Sequence, residues 1–132
     1  MTPTELYLFN QINGASKEKI HALLLGGAYK FTMFLITAIE HNNLEDVANY
    51  TNRVSLILDE LALQISHDTS ELSTNLLSLY GWWNKVLFDL DSQDRLHNLQ
   101  AMVNHIAELR AAWNILTEKS TEKPYNNLSI TY

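Results

Sequence analysis

The stretch Ala-Ser-Lys-Glu-Lys-Ile-His-Ala-Leu-Leu-Leu-Gly-Gly-Ala-Tyr-Lys-Phe, residues 15–31, decides how the chain folds. Ser16 is placed to cap a helix, because its hydroxyl oxygen can accept from backbone N–H groups left unpaired at a helix start. Glu18 then falls in the first turn, where a carboxylate complements the helix dipole. The helix that follows carries more large apolar residues than one buried face needs. Ile20, Leu24, Gly27, Phe31, Phe34 and Ala38 alternate four and three apart and read as the core stripe. Leu25, Tyr29, Met33 and Ile36 form a second stripe beside it. A helix apolar on two sides must bury both, which points to a protein that binds another protein rather than to an enzyme. Gly26-Gly27 costs helix stability, about 1 kcal/mol per glycine relative to Ala, and reads as a place of close helix approach.

Three further segments follow the same template of steps of three and four. The first helix spans about Lys17 to His41, the second about Leu44 to Ile65, through Val47, Tyr50, Val54, Ile57 and Leu61. The third spans about Ser70 to Leu90, with Leu72, Leu76, Leu79, Trp83, Val86 and Leu90 as its expected core line. The fourth spans about Asp94 to Lys119, through Leu96, Leu99, Val103, Ile106, Leu109, Trp113 and Leu116. Such alternation is the seam of left-handed bundle packing. Asn42-Asn43, Ser66 to Thr69 and Asp91 to Asp94 supply short turns and capping oxygens between the segments. Short links favour antiparallel neighbours, so the predicted fold is all-α, an up-down-up-down four-helix bundle. A single domain over residues 1–132 is expected, its core at about 16–119. A short helical segment through Leu6, Tyr7 and Phe9 is expected within residues 2–14, and an irregular tail over 121–132.

Composition bounds the function classes. The chain has 132 residues, 46% hydrophobic and 18% charged, as an ordinary globular domain does. It has no cysteine, so neither a disulfide framework nor a thiolate site can form. A net charge of −6, with nine scattered basic residues, disfavours a nucleic-acid partner. The first residues lack a basic-then-apolar leader, and no unbroken apolar run reaches membrane-spanning length, so neither a signal peptide nor a membrane span is expected.

Helical bundles can house paired metals, and Glu18-x-x-His21 has the ligand spacing, with Asp94-x-x-His97 a looser copy. Both motifs begin their helices, and in an antiparallel bundle the first and fourth helices begin at opposite ends. No metal site is therefore expected, no cofactor is implied, and no nucleophilic elbow or phosphate-binding glycine loop is present. His41, His67 and His105 read as surface or junction residues. The apolar surplus is what core packing explains least. On the third segment Leu77, Tyr80, Trp82, Leu87 and Phe88 broaden the apolar face around Trp83. One reading is a wide core face with the first 14 residues lying across it. The other is a groove for an amphipathic helix, where Tyr and Trp supply large apolar area with a polar handle.

In order and spacing, several landmarks over about residues 7–116 resemble the FliS-type flagellin export chaperones. They are Tyr7 with Ile12-Asn13-Gly14-Ala15, then Ala15-Ser16-Lys17-Glu18-Lys19-Ile20, then Leu25-Gly26-Gly27-Ala28 with Lys30-Phe31. Arg53, Val54, Ile57, Glu60 and Leu61 follow, then Leu79-Tyr80, and finally Leu109-Arg110-Ala111-Ala112-Trp113. The chain departs from the family pattern where Leu25-Gly26 replace the usual Tyr-Asp, Lys17 replaces Pro, and Val86 stands where a basic residue is common.

The resemblance implies a cytoplasmic, non-enzymatic chaperone. Such a protein binds the C-terminal segment of flagellin, prevents premature polymerisation, and presents the subunit to a component of the flagellar export gate. It also implies that Tyr7 and Ile12 belong to an N-terminal segment able to cover the client groove when empty, so residues 2–14 are expected to compete with client near Tyr80 and Trp82. The candidate partner-binding residues are Tyr7, Ile12, Leu25, Tyr29, Tyr80, Trp82 and Leu87. The alternative is a helical bundle serving only as a dimerisation or scaffold module, and a homodimer is compatible with either reading.

Overall fold

The helix starts are built by the residues that cap them. The computed structural model describes residues 2–3, 16–91 and 93–131, with side chains as far as Glu118. Its helices are α1 (Lys17–Glu40), α2 (Leu44–Ile65), α3 (Glu71–Phe88) and α4 (Arg95–Thr131), with no strand among the described residues. Ser16 Oγ accepts from the Lys19 N–H at 3.2 Å and opens α1. Asn43 opens α2 by accepting from the Asp46 N–H at 3.1 Å, while its side-chain amide donates to the Asp46 carboxylate at 2.8 Å. Just before it Asn42 takes a φ of 55°, a left-handed conformation that Asn tolerates and that ends α1. Ser70 caps α3 on the Ser73 N–H at 3.2 Å. Asp68 accepts from the Ser70 N–H at 2.8 Å and the Ser73 hydroxyl at 2.9 Å. Those bonds, the Ser70 backbone first, hold its carboxyl below the ordinary range.

Packing is antiparallel and uneven. α1 makes the most extensive contacts, with α2 on one side and α4 on the other, whereas α3 packs on α2 and touches α4 more lightly. The two-sided apolarity of α1 thus has a plain structural use. By length and hydropathy α1 could cross a membrane, with a mean hydropathy of 1.6 over its most apolar window. In the bundle that hydropathy meets two neighbouring helices.

The buried line of α1 is rotated from the expected one. It runs through His21, Leu25, Ala28, Thr32 and Leu35, while Ile20, Leu24, Gly27 and Phe31 are half-buried and Phe34 is 41% exposed. In α3 it runs through Ser73, Leu76, Tyr80, Trp83 and Leu87, and the expected core residues Leu72 and Leu90 are 64% and 58% exposed. The cause is common to both. When leucines and aromatics occupy adjacent stripes, periodicity fixes the helix but not its rotation, which docking of the neighbours decides. On α4 the core comprises Leu99, Met102, Val103 and Ile106, with Leu96, Leu109 and Trp113 half-buried and Leu116 exposed.

At the chain's end, an irregular tail was expected from Thr121, whereas the backbone of α4 continues as helix to Thr131. Propagating a helix is far easier than nucleating one, and Glu118, Lys119, Glu122 and Lys123 are good helix formers on the approach to Pro124. The N-terminal helical segment expected around Leu6, Tyr7 and Phe9 lies outside the described residues.

Candidate functional site

Of the depressions along α1, two border α4, and each is built from residues on different helices. The first lies where α1 begins, a depression of about 480 Å³ lined in part by Lys17, Glu18, His67, Leu72, Trp113 and Leu116. His21 forms part of its wall and is itself 2% exposed. The His21 ring stacks on Trp113 with centroids 4.3 Å apart. Its Nδ1 lies 2.9 Å from Gln64 Oε1, and its Nε2 lies against the Tyr80 hydroxyl. Because the Gln64 oxygen can only accept, Nδ1 carries the proton, and Nε2 accepts from the Tyr80 O–H. This pattern requires a neutral ring. Burial holds the imidazole below its ordinary value, outweighing the opposing bond from Gln64, and burial also pushes the Tyr80 hydroxyl up. His21 is therefore a structural histidine with both nitrogens engaged. Among the described residues no group of three or more His, Asp or Glu side chains is placed to hold a metal ion.

The second depression is a groove between α1 and α4. One part, about 400 Å³, runs past Lys19, Leu23, Gly26, Lys30, Arg110 and Glu118. A second part, about 330 Å³, adjoins it through Arg110 and Asn114 and is lined by Tyr29, Ala107 and Ala111. The glycine pair makes room on α1 for side chains of the neighbouring helices. A Cβ on Gly26 would stand 3.3 Å from the Arg110 guanidinium, on α4, and one on Gly27 would stand 3.3 Å from Ile57 Cδ1, on α2. Each glycine of the pair thus serves a different interface.

A third feature sits on the lightly packed side. Trp82 is 44% exposed and lies near His105 of α4, with ring centroids 6.1 Å apart. Tyr80 and Trp82 do not share a surface. They are two positions apart on a helix, roughly 200° around its axis, so one faces the core and the other faces outward. Leu25 and Leu87 are fully buried and Tyr80 nearly so, while Tyr29 is half-buried on the α1–α4 groove. Tyr7 and Ile12 lie outside the described residues. Of the described candidates, Tyr29 and Trp82 are therefore the accessible ones, and both border α4. Of Arg110 and Trp113, which line the two depressions, the first was visible in the sequence only as a family landmark and the second also as a member of the fourth segment's core line. Nothing in their spacing marked them as groove residues.

An antiparallel helical bundle with grooves along one helix, apolar side chains at its surface and no catalytic constellation among its described residues defines a protein-binding module. The chain matches the family described as flagellar protein FliS over residues 1–120, and it belongs to that family. FliS proteins are non-enzymatic, cytoplasmic chaperones specific for flagellin, which they serve in flagellum biogenesis. No individual curated protein matches the sequence.

Proposed function

We propose that this chaperone binds the C-terminal segment of flagellin along both flanks of α4. One stretch of the client occupies the α1–α4 groove beside Tyr29, and another covers Trp82 and His105 on the α3 side. The observation that carries this reading is the placement of Tyr29 and Trp82, accessible aromatics on opposite flanks of one helix. A flexible segment that becomes helical on binding loses conformational freedom, so extensive apolar contact must supply its affinity. Exposed Leu23, Ile115 and Leu116 provide such area beside the grooves. Covering this segment keeps flagellin from polymerising early, and the complex is handed to a component of the export gate. A second copy of this chain is the competing occupant of the same surface, and sedimentation across a concentration series separates it from a client.

Residues 2–14 compete with client at the depression where α1 begins, since Tyr80 is buried and Trp82 faces outward, so the two form no common docking face. α1 starts at Lys17 beside that depression, whose wall residue His21 is bonded to the Tyr80 hydroxyl. Trp113 also lines that depression, and its buried Nε1–H has no acceptor among the described residues, which an occupant's carbonyl would supply. Deleting residues 2–14 should tighten binding of a flagellin C-terminal peptide, measured by calorimetry, with helical circular dichroism confirming the bundle. Unchanged affinity in a folded variant would rule out competition.

A further inference from the structure

The α1–α4 groove holds a guanidinium that makes no ion pair with a described residue. Arg110 projects from α4 across the groove, and its guanidinium carbon and Nε would both lie 3.3 Å from a Cβ on Gly26. Only a glycine lets the planar group lie so close to the α1 backbone without displacement. A carboxylate carried on a side chain at position 26 would meet the Arg110 fork directly. With Gly26 in its place, Arg110 is exposed and makes no ion pair with any described residue. Lys19 and Lys30 line the same groove. The Lys30 ammonium is held 5.4 Å from the Phe31 ring centre, so it adds to the local potential more than to direct contact. Glu118 is the one acidic residue lining this groove among the described residues. Three of the nine basic residues of a chain with net charge −6 thus converge on one depression.

We infer that Arg110, seated on Gly26, is a carboxylate-recognition site for an Asp or Glu side chain of the bound flagellin segment. The inference rests on the client reading above. A guanidinium presents paired N–H donors that match a carboxylate, and its packing against the α1 backbone limits the orientations it must give up on binding. The surrounding groove runs from Lys19 to Lys30, about 16 Å at 1.5 Å per residue, enough for about three turns of client helix. Leu23 and Tyr29 give apolar contact on either side of the charge.

The test compares the full-length chain with Arg110→Gln and Gly26→Asp variants. Each is titrated with a synthetic flagellin C-terminal peptide and with versions whose Asp and Glu residues are changed singly to Asn and Gln. Arg110→Gln should weaken the native peptide roughly tenfold, as expected for a partly desolvated charge-assisted pair. Gly26→Asp should weaken it similarly, because the carboxylate then comes from within. One amide peptide should bind wild type about as weakly as the native peptide binds Arg110→Gln, and lose little more on that variant. Equal affinities of wild type and both variants for the native peptide would overturn the inference and leave the client reading intact. Failure of the wild type to bind any flagellin peptide would overturn both. Helical circular dichroism and a cooperative melt of each variant, showing the bundle folded at the titration temperature, exclude misfolding as the cause.

Discussion

His21 shows how a single side chain changes meaning between sequence and structure. Its spacing from Glu18 suggested a metal ligand to be weighed, yet its ring nitrogens are engaged by Gln64 and Tyr80 within the core. The arrangement has a consequence for pH. Since the folded-state value of His21 lies below the ordinary 6.5, the unfolded chain binds more protons at this ring as the medium is acidified. The neutral ring's contribution is complete above pH 6.5 and is lost progressively below it, toward the lowered folded-state value. His67, Asp68, Glu18 and Lys17 border the same depression, so the comparison must remove His21 alone. Between about pH 7 and about pH 5 the urea midpoint of wild type should fall more steeply than that of His21→Gln. Parallel profiles would show that the buried ring does not titrate with unfolding.

Glycines separate the roles of the helices. Gly81 lies inside α3 with nothing within 4 Å of the position its Cβ would take, whereas Gly27 faces Ile57 across the α1–α2 interface. Gly81→Ala should therefore raise stability by about 0.5–1 kcal/mol through helix propensity alone. Gly27→Ala should gain less, since Ile57 must give way, and denaturant melts of the two variants should show that order. At this scale much was legible in the sequence. Ser16 and Asn43 announced their helix starts because capping is local chemistry, readable within four residues, whereas the cap oxygen expected from Ser66 to Thr69 comes from Ser70, with Asp68 bracing it. The rotation of α1 was not legible, since Leu23, Leu24 and Leu25 offer three adjacent apolar directions and only the docking of α2 and α4 selects among them. For the same reason Leu25, Tyr80 and Leu87, proposed for partner contact on apolar breadth, lie in the core. Arg110 and Gly26 escaped notice because their meeting depends on which helices are neighbours, a fact no local pattern carries.

Across the whole molecule, the bundle divides its apolar surface between two uses. α1 spends its two faces inside, against α2 and α4, and the surplus first noticed on it is largely consumed there. Tyr29 stays accessible on one flank of α4 and Trp82 on the other, while Leu44, Leu56 and Leu63 expose further apolar area on α2. The proposed client surface makes a direct demand on solution behaviour. The measurement is a calorimetric titration of the full chain with a flagellin C-terminal segment, accompanied by circular dichroism and tryptophan fluorescence. Saturable one-to-one binding is predicted, with a gain in helical signal, a negative heat-capacity change, and altered emission from the exposed Trp82. Absence of heat, helicity change and fluorescence change up to high micromolar peptide would contradict the account.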